Sequence, residues 1–456
     1  MSREHAASEN RRYGRSAAQL TIALGVAGVL TYVFFALCSR GLDKDQYGEI
    51  VVLWSAVFLI SATLFRPIEQ LLARTLAERD HAGAGAGDAL RAAAKIQAAL
   101  CAAAIAVLLA LRGPAQDKLF SDDPGLYWAL LLALTGFACA FYGRGFLAGR
   151  GQFLLYAALL QIEVLLRLFF ALVVAVGLAT GTSLIAAGIA LAPFAGLAVL
   201  PVAIHRGRPN AAAFDPETSP LADELTLGAG GAFAGAVLLM MLSEQIMITS
   251  GALFVRASEG AAAAGFIFNM LMVARAPLLL FQAVAASLLP HLTRLRARGD
   301  EEGRDAFRSS LSSTMLLIAG FAAATTVGVL LIGPQVMQLA FGDKFEYDRA
   351  GLAIVSIGMG FYLVAASINQ AALAQGQARR AAIPWVISAI VFVAFNLLYT
   401  GDPFRAVELG FTCAAMMLSA MLWYVYSHPR PNAEDVIVPG SGREVQARLD
   451  ALDEIT

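Results

Sequence analysis

Four cysteines in 456 residues, Cys38, Cys101, Cys139 and Cys413, stand alone inside apolar runs with no C-x-x-C or Cys/His spacing. That argues against a metal site and leaves them as packing residues. Histidine is equally sparse: five fall near segment ends, and none pairs with another. There is no P-loop, and the glycines of HAGAGAGDAL (81–90) follow no strand, so they make a poor nucleotide site. Lysine is rare, and 33 basic residues against 34 acidic leave no basic footprint for nucleic acid. Acids and bases converge at no recognisable catalytic spacing and no cofactor motif is present, so an enzyme is not expected.

What the chain has is oil. Hydrophobic residues make up 58% of it and charged residues 15%, with a mean hydropathy of +0.67. One or two soluble cores cannot hide that much apolar surface, whereas a lipid-facing protein has no such limit. Runs long enough to cross a bilayer at 1.5 Å per residue lie at about 17–38, 48–66, 90–111, 125–145, 152–177, 182–204, 226–250, 263–290, 309–332, 350–373, 381–399 and 405–426. The first is too long for a signal-peptide core, and FALCSRG is a poor cleavage site, so it is read as a retained span.

The reading is therefore an all-α integral membrane protein of twelve transmembrane helices. Residues 1–16 form an N-terminal segment, 17–204 a first six-helix lobe, 205–224 a polar linker, 225–427 a second six-helix lobe, and 428–456 a tail expected to be disordered. With the N-terminus in the cytoplasm, roughly 22 of the 33 cations fall on the cytoplasmic side. Both termini and the linker then lie inside.

The two halves echo one another. LRGPAQDKLFSDD (111–123) matches LIGPQVMQLAFGDKFEY (331–347), FLAGRGQF (146–153) matches ALAQGQAR (372–379), and Arg66-Pro67 matches Arg275-Ala276-Pro277. An even number of spans per half gives both copies one orientation, as parallel-related bundles around a central cavity where substrates tend to sit.

These halves, the R-G-L-x-x-x-Q-Y-G start of span two (Arg40 to Gly48), the GP…LF exterior loops and the LAGRGQ/LAQGQ turns resemble polysaccharide-type exporters. These belong to the multidrug/oligosaccharidyl-lipid/polysaccharide superfamily. The resemblance covers about residues 15–427. It implies a flippase in the bacterial cytoplasmic membrane that moves a polyprenyl-diphosphate-linked oligosaccharide to the outer leaflet by alternating access. Its implied partners are that lipid-linked substrate, the bilayer, and glycosyltransferases or a polymerase of the same pathway.

Charges at mid-bilayer are costly, about 2.5–3.5 kcal/mol each on insertion scales, so they are paired, hydrated or used. Arg275 sits deep in span eight, either paired with an acid such as Glu244 or lining a cavity that a bend at Pro277 opens. Glu163 and Arg167 are spaced to neutralise one another on one face of span five, or to touch substrate. Arg66, Glu69 or Gln70, and Arg74 recur at helical spacing, so span two is expected to lengthen into an amphipathic helix beside the cytoplasmic mouth. Arginine suits a diphosphate because its fork grips two oxygens and stays charged. Asn369, Gln370, Asn269, Gln282 and Tyr362 are the candidate sugar contacts.

Two other functions compete. A cation-coupled drug exporter of the same superfamily typically carries an acid in its first span, and LTIALGVAGVLTYVFFALC (20–38) has none. A scaffold that recruits glycosyltransferases without transporting anything is compatible with the same sequence.

Overall fold

Inside lipid the backbone has no water to bond, so an apolar run that crosses it satisfies its own amides as a helix. The computed structural model describes residues 2–81, 85–205, 229–276, 301–374 and 377–428, and among them no strand occurs. The helices are α1 (Ser2–Gly41), α2 (Lys44–Leu64), α3 (Arg66–His81), α4 (Gly87–Ala110), α5 (Arg112–Phe120), α6 (Pro124–Gly149), α7 (Phe153–Ala175) and α8 (Thr182–Gly196). A short 3₁₀ turn, Leu197–Val199, leads to α9 (Leu200–His205). The second half supplies α10 (Ala229–Thr249), α11 (Gly251–Glu259), α12 (Ala261–Ala276), α13 (Glu301–Phe341), α14 (Arg349–Ala374), α15 (Ala378–Leu398) and α16 (Pro403–Ser427).

As far as they are described, the apolar runs of the sequence fall on these helices. Among the described residues, ten helices are long and apolar enough to cross a membrane, or eleven if α10 and α11, bent by 48°, form one span. The eighth run is described only as far as Ala276. The expected bend at Pro277, Gln282, the linker beyond His205 and the tail beyond His428 lie outside the described residues. The fold is that of a multi-pass membrane protein.

Helix packing repeats the sequence echo. In the first half α1 packs on α7, α4 on α6, α6 on α8 and α7 on α8; in the second, α10 packs on α15, α13 on α14, α14 on α16 and α15 on α16. Counting spans within each half, first meets fifth, third meets fourth, and sixth meets both fourth and fifth. The same contacts recur because the same apolar faces recur.

Span two does lengthen, as its sequence suggests. Asp43 caps it: the carboxylate accepts from the Gln46 amide at 2.8 Å while Gln46 Oε1 accepts from the Asp43 amide at 3.4 Å. The helix breaks at Phe65 and resumes at Arg66, with Pro67 in the first turn where its missing N–H costs nothing. Continuation α3 is held on α6 by two small residues. A Cβ on Gly145 would stand 2.8 Å from the Glu69 carbonyl oxygen, and one on Gly149 2.7 Å from that of Ala73, so only glycine permits this approach.

The single polar stripe expected along α3 is not what forms. Arg66 and Gln70 are exposed, but Glu69 turns to Tyr156, and Arg74 is buried, bonded to Glu78 at 2.6 Å. At 100° per residue Glu69 and Arg74 stand roughly 140° apart, too far to share one narrow face.

The lobes are joined at the bundle end carrying residues 40–48, 119–123, 256–268 and 339–345. Tyr47, fully buried, donates its hydroxyl to Asn269 Oδ1 across the seam. Beside it Gly48 lies so close to α12 that a Cβ would sit 1.7 Å from the Ala261 carbonyl oxygen. Phe35 meets Phe268 at 4.6 Å between centroids, and Phe345 lies tilted between Tyr47 and Phe266 at 4.9 Å from each. The Q-Y-G motif is thus a cap residue, a seam hydrogen bond and a close-approach glycine in succession. Asn269, a candidate sugar contact by sequence, belongs to this dry seam instead.

Candidate functional site between the lobes

Two polar networks form deeper in the bundle, one in each lobe. In the first lobe Arg144 on α6 pairs with Glu163 on α7, with side-chain exposures of 10% and 2%. Two turns nearer the start of α7, Tyr156 donates to Glu69 at 2.6 Å, and Glu69 lies in electrostatic range of Arg144, Arg66 and Glu163. Arg167 does not close an ion pair with Glu163, although Glu163 remains its nearest opposite charge. Its guanidinium stacks over Trp54 of α2 at 4.8 Å, with Nη1 buried and unbonded.

The expected i,i+4 pair is therefore replaced by a pair between helices. The spacing rule describes isolated helices, where no third residue competes. Here Arg144 arrives from a neighbouring helix and takes the carboxylate, while its own ring neighbour Phe141 lies 4.8 Å from the guanidinium carbon. Arg144 escaped the sequence reading because it falls near the end of an apolar run and counts there as a cytoplasmic cation. The clue was FYGRGFLAG itself, which keeps helical apolar spacing for a full turn past the arginine.

In the second lobe Tyr362 on α14, fully buried, donates to Glu244 on α10 at 2.6 Å and meets Trp385 edge-on at 5.9 Å. Trp385 Nε1 donates to Asn369 Oδ1 at 3.2 Å, and Gln370 beside it is half-buried. Arg275, on α12, is half-buried and in range of the Tyr32 and Tyr362 hydroxyls. It makes no ion pair with Glu244 within 4 Å; that carboxylate is taken by Tyr362. Tyr32 reaches across from α1 and donates to the Met272 carbonyl oxygen at 2.9 Å.

Arg66 connects the two networks, lying in electrostatic range of Glu69 in its own lobe and of Tyr362 in the other. Of the residues singled out by sequence, Arg66, Glu69, Glu163 and Arg167 gather in the first network, and Arg275, Glu244 and Asn369 in the second. Gln70 and Gln370 flank them without a hydrogen bond among the described residues. The chemistry on offer is three guanidiniums, Arg66, Arg167 and Arg275, not neutralised by a carboxylate at contact among the described residues, aromatic hydroxyls and rings beside them, and one carboxylate with its amide neighbours.

No protein-family model matches the chain. Uncharacterised proteins of Mycobacterium bovis and Mycobacterium tuberculosis are 23% identical to it over 377 residues, covering 81% of this chain and 83% of theirs. Among solved structures, it is similar to the inward-facing conformation of a multidrug resistance MATE family transporter of the MOP superfamily. That match has a TM-score of 0.67 and 15% identity, over 89% of this chain and 97% of the other. The outward-facing conformation of such a transporter matches with a TM-score of 0.60 and 15% identity, over 90% and 94% of the two chains. A mutant of the Vibrio cholerae MATE transporter VcmN matches at 0.60 and 16%, over 92% and 97%. The chain thus has the fold of MATE family transporters of the MOP superfamily.

Proposed function

We propose that the protein is a flippase. It moves a polyprenyl-diphosphate-linked oligosaccharide across the bacterial cytoplasmic membrane by alternating access, in the polysaccharide branch of that superfamily. The observation that carries this reading is the pair of cations Arg275 and Arg66, both in electrostatic range of Tyr362. Both cations sit where the lobes meet, near Tyr362, and neither is neutralised by a contacting acid among the described residues. A diphosphate supplies the missing anion, and guanidinium forks bind it bidentately. Tyr32, Asn369 and Gln370, each half-buried, offer a ring and polar groups of the kind that sugars use.

Cation placement puts both termini in the cytoplasm, which makes the sealed end exterior and the arrangement inward-facing. The higher similarity to the inward-facing transporter supports that orientation. Glycosyltransferases or a polymerase of the same pathway are the partners this reading requires.

A multidrug exporter is the second reading, favoured by the fold, and Glu244 is the carboxylate an organic cation would seek. Reconstitution into liposomes separates the readings. A fluorescent polyprenyl-diphosphate oligosaccharide is expected to cross with the purified protein, while a cationic dye under a proton or sodium gradient is not. Dye transport without lipid transport would transfer the assignment to the drug exporter; transport of neither would favour a scaffold.

A further inference from the structure

The sealed end of the bundle contains two arginine contacts that the internal repeat relates to one another. Arg40, in the last turn of α1, donates from Nη2 to the Leu339 carbonyl oxygen at 2.5 Å, crossing from the first lobe to the second. Arg256, near the end of α11 in span seven, donates from Nε to the Leu119 carbonyl oxygen at 3.0 Å, crossing the other way. Span one and span seven occupy the same place in their halves. So do the two acceptors: Leu119 lies six residues after Gly113, and Leu339 six residues after Gly333, in the matched Gly-Pro segments.

The acceptors share more than register. Each lies in the last turn of its helix, α5 or α13, where carbonyls lack an intrahelical partner and the helix dipole presents its negative end. Each helix closes on a residue with positive φ, Ser121 at 52° and Gly342 at 89°. Each arginine also touches that closing residue: Arg256 Nη2 donates to Ser121 Oγ at 2.7 Å, and Arg40 Cγ lies 3.9 Å from where a Cβ on Gly342 would stand. Phe120 and Phe341, the residues before those closures, are both buried.

Neither arginine shares a partner with the other, and their first-choice acceptors are backbone, not carboxylate. Glu49, on α2, adds a charge in range of Arg256; Lys344 adds one more crossing bond, to the Leu42 carbonyl oxygen at 3.2 Å. A contact of this form releases without leaving a buried unpaired acid, since a helix-end carbonyl exposed to water is readily solvated. It suits a joint that must open and close.

We infer that Arg40 and Arg256 are a repeat-related pair of clasps that hold the lobes shut at this end, and that both must let go for the opposite-facing state to form. The inference builds on the alternating-access reading but not on its substrate.

Spin labels test it. Asp117 on α5 and Glu259 on α11 are exposed and belong to different lobes, while Asp117 and Asp45 on α2 lie in one lobe. Distances are read by pulsed electron resonance from the full chain in lipid nanodiscs, with the four native cysteines replaced by alanine. The clasped protein is expected to give one short 117–259 distance. Losing one charged hydrogen bond changes the open-to-closed ratio by roughly ten-fold, so Arg40→Ala or Arg256→Ala alone raises a minor long-distance population. The double variant raises it by roughly a hundred-fold, contacts without shared partners being nearly additive. Arg256→Lys, which keeps charge but loses the fork, falls between Arg256→Ala and the clasped protein. An unchanged 117–259 distribution in the double variant overturns the inference. So does an equal broadening of the 117–45 distance, which would mean local unfolding instead of lobe separation. Because these distances require no transport, a failed flipping assay leaves their outcome unaffected.

Discussion

Arg275→Ala is expected to lower surface polysaccharide by about ten-fold or more at normal protein levels, because a charged hydrogen-bonding partner of the diphosphate contributes on the order of 1.5–3 kcal/mol. Arg66→Ala should do the same. The two arginines are half-buried and exposed respectively, and neither forms an ion pair with a contacting acid among the described residues, so removing either leaves no unpaired carboxylate behind. Stability should therefore hold while export falls. Arg275→Lys keeps the charge but not the planar fork, and an intermediate level is expected. Quantifying cell-surface glycan beside membrane protein abundance checks all three. Export unchanged in both alanine variants would remove the arginines from the substrate path.

The opposite behaviour is expected of Arg144. Its partner Glu163 is 2% exposed, and Arg144→Met strands that carboxylate in a low-dielectric interior. Breaking a buried pair from one side costs about 3–5 kcal/mol. Arg167, still within electrostatic range of Glu163, should keep the loss near the lower figure. Replacing both partners, Arg144→Met with Glu163→Leu, should restore part of the stability, since apolar side chains of similar size can substitute for a buried pair, while Arg167 loses the carboxylate in its range. Thermal unfolding in detergent reads the difference. If the double variant is no more stable than Arg144→Met, the penalty does not come from an orphaned acid, and the network has another purpose.

The contrast between these arginines shows how far a sequence carries. The apolar runs were legible because their length is a physical requirement of the bilayer, and as far as they are described they lie on helices. The extension of span two was legible from the periodic polar residues after Pro67. The paired GP segments were legible as a repeat, and helix packing carries that repeat into three dimensions. What the sequence could not reveal is which neighbour wins a shared partner. Glu163 and Arg167 sit at ideal local spacing, yet Arg144 from another helix holds the carboxylate, and Tyr362 takes Glu244 before Arg275 can. Asn269 looked like a sugar contact because an amide within an apolar span suggests a cavity; it is a seam residue because Tyr47, 222 positions away, ends beside it. Long-range choices of this kind depend on helix placement, which no single-chain periodicity encodes.

The same limit applies to Arg40 and Arg256. In sequence Arg40 opens the R-G-L-x-x-x-Q-Y-G motif and Arg256 is a cation at a span end, and neither position names its acceptor. Their acceptors are backbone carbonyls, which every residue possesses, so no side-chain pattern could have announced them. Only the coincidence of two helix ends in matched register makes them recognisable.

Reactivity of a cysteine at position 275 tests the central claim, a hydrated and positively lined space between the lobes that opens to the cytoplasm. With the native cysteines replaced, Arg275→Cys is exposed to a membrane-impermeant thiol reagent in right-side-out and in inverted vesicles. The account predicts labelling from the cytoplasmic face, slowed by a polyprenyl-diphosphate lipid. A thiol inert from both faces, or reached from the exterior alone, would contradict it.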